Sequence, residues 1–551
     1  MKTQLIFTLA GAFFAIFGCS VCAGTYSGGT GEPNNPYQIA DANDLLDLGG
    51  TTTDYDKCFI LTADIDMEGQ VFTTAIIAMD TSSDYDFQGT AFTGTFDGNG
   101  YKITNFAIDG GSNKYLGLFG YINTGSSVKN LGLENCAVSG GSGSSLTGPA
   151  YVGGLVGHIE YGSISDCYST GSVSGSSDSQ VVGGLVGYNL YGSISNCYST
   201  GAVSGSSSVG GLVGSNSGII SNCYSTGAVS GSDYYYISRV GGLVGSNSSI
   251  ISNCYSTGAV SVSGSSGSQD VGGLVGSNGG SISDCYSTGT VSGSGSWDVG
   301  GLVGYNGYGN ISDCYSTGTV SSAGYVGGLV GFNISSSSSF ISIINCYSTG
   351  AVSGSSSVGG LVGYKEWGSI SNCYSTGSVT GRDDSWGLGG LVGSNVGIIS
   401  NCYSTGSVSG PRLVGGLVGY NEGSSISHCY FLITSGPNNG YGTPLSDEEM
   451  KQQSSFVGWD FTNETANGTN DYWRMCVDGV DYPRLNWESI AGDFMCPDGV
   501  NVEDLDYFLQ RWLLGDCTLD NNYCGGVDIN GSGAVDFVDF AIFAQHWLEG
   551  I

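Results

Sequence analysis

Basic side chains are scarce in this sequence: thirteen Lys and Arg stand against 47 Asp and Glu, for a formal charge of −34. Phosphate backbones are bound through a basic face, so nucleic acid is excluded as an expected partner, and an anionic membrane surface falls with it. Proline is also rare, at eight residues, and although Gly reaches 98 of 551 it follows no Gly-X-Y period, which excludes collagen. Charged residues make up only 11%, against 40% hydrophobic and 11% aromatic, which is too apolar for a disordered chain. The glycines therefore belong to tight turns of something folded. With only three His (His158, His428, His546), zinc binding is not expected. No segment after the N-terminus is long and apolar enough to span a membrane.

The N-terminus reads as an export signal over residues 1–23. Lys2 supplies the positive start, Leu5 to Phe17 the apolar run, and Val21-Cys22-Ala23 a small-residue cleavage site. The alternative is a lipoprotein signal, Ile16-Phe17-Gly18-Cys19, with Cys19 lipidated. Either way the protein is expected to be secreted or held at the cell surface, and not membrane-spanning.

What is abundant is repetition. Gly-Gly-Leu-Val-Gly begins at Gly153, Gly183, Gly210, Gly241, Gly272, Gly300, Gly327, Gly359, Gly389 and Gly415. Each copy is followed by Ile-Ser-(Asn/Asp/His)-Cys-Tyr or a close variant, with Cys167 to Cys429 spaced 26 to 32 residues apart, and Leu116–Gly120 with Cys136 forms a degenerate earlier copy. Short apolar runs bounded by Gly, Ser and Asn predict two or three short strands per unit and no helix. One such unit cannot bury a face alone; stacked units can. Residues 90–433 are therefore predicted to form a parallel β-solenoid of stacked coils, with a lead-in over 24–89 and a cap or linker over 434–490.

The unit resembles the GLUG family, named for the Gly-Leu-(any)-Gly core that stands here as Gly154-Leu155-Val156-Gly157 and its nine successors. The marks Thr62-Ala63-Asp64-Ile65-Asp66 and Thr93-Gly94-Thr95-Phe96-Asp97-Gly98 resemble the usual lead-in, and Gly458-Trp459-Asp460-Phe461 the usual terminal cap. The resemblance implies a bacterial surface or secreted protein with a scaffold or binding role and no catalytic residues from the repeat.

Eleven stacked cysteines suggest a disulfide framework at first. Parallel rungs about 4.8 Å apart, however, hold Cβ atoms beyond the roughly 3.8 Å of a disulfide, so a buried ladder of thiols is expected. Cys and the following Tyr lie on opposite faces. If Cys points inward, Tyr168, Tyr198, Tyr224, Tyr255, Tyr286 and Tyr315 form an outward aromatic strip able to stack on sugars; if Tyr points inward, it is core.

The tail, 491–551, carries eleven acids and one base, Arg511. Asp528, Asn530, Ser532, the Ala534 carbonyl, Asp536 and Asp539 fall at positions 1, 3, 5, 7, 9 and 12 of a calcium loop, with Gly533 at its sharp turn. A helix is expected over Phe540–Leu548. The unit recurs 35 residues earlier in degenerate form, where Asp493, Asn501 and Asp504 match and a helix is expected over Leu505–Leu513, but Met495 and Pro497 offer no side-chain oxygen. The pair resembles a type I dockerin over 491–549, a small all-α module. That resemblance implies calcium-dependent folding and a cohesin-like partner. Cys496, Cys517 and Cys524 could staple the module, in a pairing the sequence does not assign.

The combined expectation is a non-catalytic exported scaffold or adhesion protein. Its alternatives are a glycan-binding accessory of a polysaccharide-degrading complex and, third, a β-helix lyase or hydrolase. Arg239, Lys365, Arg382 and Arg412 are the only bases from Tyr151 to Tyr430, and they read as lying outside the repeat core. Asp166, Asp284 and Asp313 replace Asn without a basic companion, and His-Glu-X-X-His is absent.

Overall fold

The computed structural model of the chain describes residues 24–547 apart from 83, 85, 143–147, 177–180, 233–237, 264–268, 336–340, 383, 463, 465, 489–491, 495–499, 518–523 and 525–526. The export signal expected over 1–23, with Cys19, lies outside the described residues.

The repeats form a three-faced parallel β-solenoid. In the coil from residue 181, Val181–Gly183 belongs to the first face, Val186–Leu190 and Ser193–Ser195 to the second, and Tyr198–Ser199 and Val203–Gly205 to the third. Each coil thus holds five short strands rather than two or three. The extra strands arise because each longer run is broken by a turn: at Tyr191-Gly192 on the second face and at Thr200–Ala202 on the third. Among the described residues the faces stack 11, 23 and 24 strands. The register is strict, with Val182 beside Val209, Ile194 beside Ile220 and Tyr198 beside Tyr224.

Six apolar side chains of this coil turn inward: Val182, Leu185, Val186, Ile194, Cys197 and Val203 are each at most 1% exposed. Each repeats as a column along one continuous core. Stacking settles the question that alternation left open, since the cysteines face in.

The residue before each Cys has a reason to be Asn, Asp or His. Asn196, Asn222, Asn253, Asp284 and His428 all sit near φ +50°. In that left-handed region Asn and Asp are favoured after Gly. Asp166, Asp284 and Asp313 are thus turn residues. Asp166 accepts from Asn196 Nδ2 at 3.0 Å and Asp313 from Asn345 Nδ2 at 3.0 Å.

The lead-in is continuous with the stack, since Tyr37–Ile39 pairs in parallel with Phe59–Leu61 and Cys58–Ile60 with Thr95–Asp97. Helix Ala42–Gly50, capped by Asp41, buries Leu45 and Leu48 against the same core. At the other end Thr443–Leu445 adds the last rung beside Tyr430–Leu432. Trp459 and Trp473, both 0% exposed, then pack over Tyr374, Tyr403 and Tyr430.

The tail has its own small core of Val500, Phe508, Val527, Val535 and Phe543. Its helices run Val502–Gln510 and Phe537–Gln545, three residues earlier than expected. The cause is capping. Asn501 and Asp536 are N-caps, with Asp504 and Asp539 completing each capping box, so the acidic residue at loop position 12 lies inside the first turn. Cys517 and Cys524 form a disulfide; Cys496 lies outside the described residues.

Candidate functional site

Four features of the rod and one of the tail carry polar chemistry. The cysteine column is inert by construction. Cys167 to Cys429 are buried and free. The thiols donate within their own coils, as Cys254 Sγ does to Ser252 O at 3.1 Å, and those of Cys197, Cys223, Cys254 and Cys285 also take an amide from the coil before, as Cys254 does from Cys223 N at 3.4 Å. Burial pushes the Cys314, Cys346, Cys373 and Cys402 thiols well above their ordinary value, so thiolate chemistry is suppressed.

The tyrosine column faces outward but is closed. Successive rings from Tyr168 to Tyr315 lie 4.8–4.9 Å apart and within 7° of parallel. Each ring face is therefore covered by its neighbour, and only edges and hydroxyls reach solvent. The first ring lies over Gly132, and Tyr168 Oη donates to Glu134 at 2.8 Å. Burial, then that carboxylate, pushes the Tyr168 phenol up to about 12. At the far end the column runs under the cap, where Tyr347, Tyr374, Tyr403, Lys451, Arg484 and Glu488 line a cavity of about 480 Å³. The six tyrosines singled out in the sequence are thus brought together in one column, but without open ring faces for a sugar.

A buried asparagine ladder went unseen in the sequence. Asn189, Asn216, Asn247, Asn278, Asn306 and Asn333 are each at most 1% exposed. Every Nδ2 but the last donates to the next Oδ1 at 2.7–2.8 Å. The signal was the Asn three residues after Gly-Leu-Val-Gly's valine, which reads as a polar surface position until its burial is known. Lys365 takes the next rung, between Asn333 and Asn395. It does not lie outside the repeat core, as expected, but is 0% exposed. Its Nζ donates to Trp367 O at 3.0 Å and Gly368 O at 2.7 Å, replacing the turn contacts of Asn but not the ladder contact. Burial pushes its amine down to about 7.

Arg239 also belongs to the rod, on a strand of the first face with Asp270 beside it and Asp298 beside that. Burial pushes the two carboxyls up, to about 7 and about 8, with Arg239 opposing the shift at Asp270 and Asp270 reinforcing it at Asp298. Sequence reading missed this group because its members come from three coils. Arg382 and Arg412 stay outside the core, as expected.

In the tail, the predicted loop residues are adjacent and their oxygens turn onto the loop's own amides. Asp528 accepts from Ser532 N at 2.9 Å and Gly533 N at 2.8 Å. Asp539 accepts from Asn530 N at 3.1 Å and Asp536 N at 2.8 Å. Asn530 Oδ1 accepts from Ser532 N at 2.8 Å, and Ser532 Oγ donates to Ala534 O at 3.1 Å. Asp528 and Asp539 are 3% and 0% exposed, and no ion pair among the described residues reaches them. Two buried carboxylates held only by amides fit a divalent cation, since buried charge calls for a counter-charge. No three His, Cys, Asp or Glu side chains converge at metal distance among the described residues, so an ion would have to draw the loop inward. In the first half Asp504 accepts from Phe494 N at 2.6 Å and Asn501 N at 3.0 Å, and Asp493 lies near the Arg474 guanidinium. A basic side chain already serves Asp493 there, while Met495 and Pro497 lie outside the described residues.

The geometry defines a parallel β-solenoid protein whose coil is set by a Gly-Gly pair, an inward Cys and a left-handed Asn. That coil matches the GLUG motif ten times, at residues 148–174, 178–204, 205–230, 237–262, 267–292, 295–321, 322–353, 354–380, 384–409 and 410–434, so the chain carries ten GLUG repeats. It is similar to Halomucin of Haloquadratum walsbyi, at 33% identity over 161 residues, 25% of this chain. The chain spans about 2% of the length of that curated relative. A solved structure from Bacteroides ovatus, described as an immunoglobulin A1 protease, overlaps 84% of this chain and 96% of its own at 18% identity, with a TM-score of 0.29. Among the described residues no helix is long and apolar enough to cross a membrane.

Proposed function

We propose that this is a non-catalytic scaffold of the cell exterior, in which the solenoid presents a binding surface and the tail attaches it through a calcium-dependent, dockerin-like contact with a cohesin-like partner. One observation carries the attachment half: the tail helices, with the turn that follows the first of them, leave large apolar side chains in water. Phe537 is 76% exposed, Leu513 71%, Val502 69% and Leu509 55%. Trp512 packs on Phe537 at 5.1 Å, so part of this surface is contiguous. Contiguous apolar surface on a strongly acidic domain fits a docking face better than a free one. In this reading Asp528, Asn530, Ser532, Asp536, Asp539 and the Ala534 carbonyl hold the ion, which fixes the loop from which the second helix starts.

Limited proteolysis of the full chain tests this. Calcium at 100 times its dissociation constant should stabilise the tail by about 2.7 kcal/mol, slowing cleavage within 491–551 roughly a hundredfold relative to EGTA. Asp528→Ala with Asp539→Ala should abolish the difference while the solenoid is unaffected. Equal cleavage with calcium and with EGTA in the parent chain would remove the calcium-dependent docking role.

A further inference from the structure

One turn of the second face departs from its expected chemistry. Tyr161 and Tyr191 occupy it in adjacent coils, each at φ +57°. That conformation is unfavourable for a bulky side chain. Gly125, at the same place one coil earlier, adopts it at φ +90° without strain. The core does not hold the two rings in place, because they are 55% and 60% exposed. Strain kept at two neighbouring exposed aromatics points to use rather than to packing.

Their surroundings differ from those of the closed tyrosine column. The two rings stack on each other with centroids 5.1 Å apart at 28°. The register that sets Ser163 beside Ser127, and Ser193 beside Ile219, places Gly125 next to Tyr161 and Ser217 next to Tyr191. Neither neighbour has a ring, so the outer face of each tyrosine stays open. Around them runs a shallow groove of about 520 Å³ from Gly125 to Ser249. Its floor is Gly162, Gly192 and Gly218, and no residue lining it is charged. Ser127, Ser193 and Ser249 bring hydroxyls to it. Beneath it Ser126, 3% exposed, has a hydroxyl without a hydrogen-bond partner. The groove crosses five coils, or roughly 20 Å at the usual spacing between strands.

We propose that this groove binds a neutral polysaccharide lying across the solenoid axis. The apolar C–H face of a sugar unit stacks on the open face of Tyr161 or of Tyr191, and sugar hydroxyls bond to the groove's serines. Apolar platforms with a few convergent polar groups are the usual composition of a ligand site. The charge of −34 disfavours an anionic chain. The inference rests on the solenoid's role as a binding surface and is independent of the tail.

Native affinity electrophoresis of the full chain through gels containing hydroxyethyl cellulose, galactomannan, xylan or soluble starch, with alginate as the anionic polymer, tests it. The expected result is retardation by at least one neutral polymer and none by alginate, unchanged in EGTA. Tyr161→Gly with Tyr191→Gly should abolish retardation. Because Gly relieves the backbone strain, this variant should melt no lower than the parent, which separates lost binding from lost fold. No retardation by any neutral polymer, equal retardation of the variant, or retardation by alginate overturns the proposal. Retardation that vanishes in EGTA but survives in the variant would move sugar binding to the tail and also overturn it.

Discussion

Gly273→Ala should destabilise the rod by at least about 3 kcal/mol, although it adds a single methyl group. The added Cβ would lie 2.0 Å from Gly301 O and 2.3 Å from Ser287 Oγ. The first contact is with the backbone of the next coil, which cannot turn away without breaking the ladder on that face. Ser287 is likewise fixed, at 0% exposure. Gly423→Ala is the informative control: Gly423 has φ +66° and nothing within 4 Å of its Cβ position. Only the left-handed penalty of about 1 kcal/mol applies there. Because solenoid stability sums over neighbouring coils, the Gly273 change should also split guanidinium unfolding into two transitions. A single transition with the parent midpoint would show that the Gly-Gly pair is not the closest approach between coils.

Lys365→Asn should have the opposite sign and stabilise the protein by roughly 2–4 kcal/mol near neutral pH. Lys365 offers Asn333 no amide oxygen, and Asn395 Oδ1 is left buried without a partner. Asn would restore both contacts and remove a buried amine. The pH dependence follows from the amine's depressed pKa. Below pH 7 the folded and unfolded chains both carry the proton, so the full penalty of a buried charge applies. Between about 7 and the ordinary value near 10.4 only the unfolded chain is protonated, and the parent gains stability as pH rises. The gap between variant and parent should therefore be widest below pH 7 and close toward pH 10. Unfolding midpoints at pH 6, 8 and 10 would check this, and a gap that widens with pH would contradict it.

The parallel solenoid was legible because period, Gly-Gly and Cys recur in every unit and stacking is the one arrangement that buries them all. The inward cysteines could not be separated from the tyrosines by alternation alone, since a two-residue period gives two faces without labelling the inner one. Lys365 misled for a related reason. A lone Lys in a polar run reads as surface, and only its register partners Asn333 and Asn395 show it to be a ladder rung. Tyr161 and Tyr191 were invisible because their interest lies in a positive φ and in what their neighbours lack. The tail helices were placed late because the capping residue, and not position 12, sets the start.

The most direct test of the in-register, thiol-lined core is alkylation followed residue by residue by mass spectrometry under non-reducing conditions. Twelve free cysteines are described, Cys58 part-exposed and eleven buried from Cys136 to Cys429. In the folded protein Cys58 should label within minutes and the eleven should not; in denaturant all twelve should label. Labelling of the column in the folded protein, or recovery of its members as neighbouring disulfides, would contradict the stacked, reduced core.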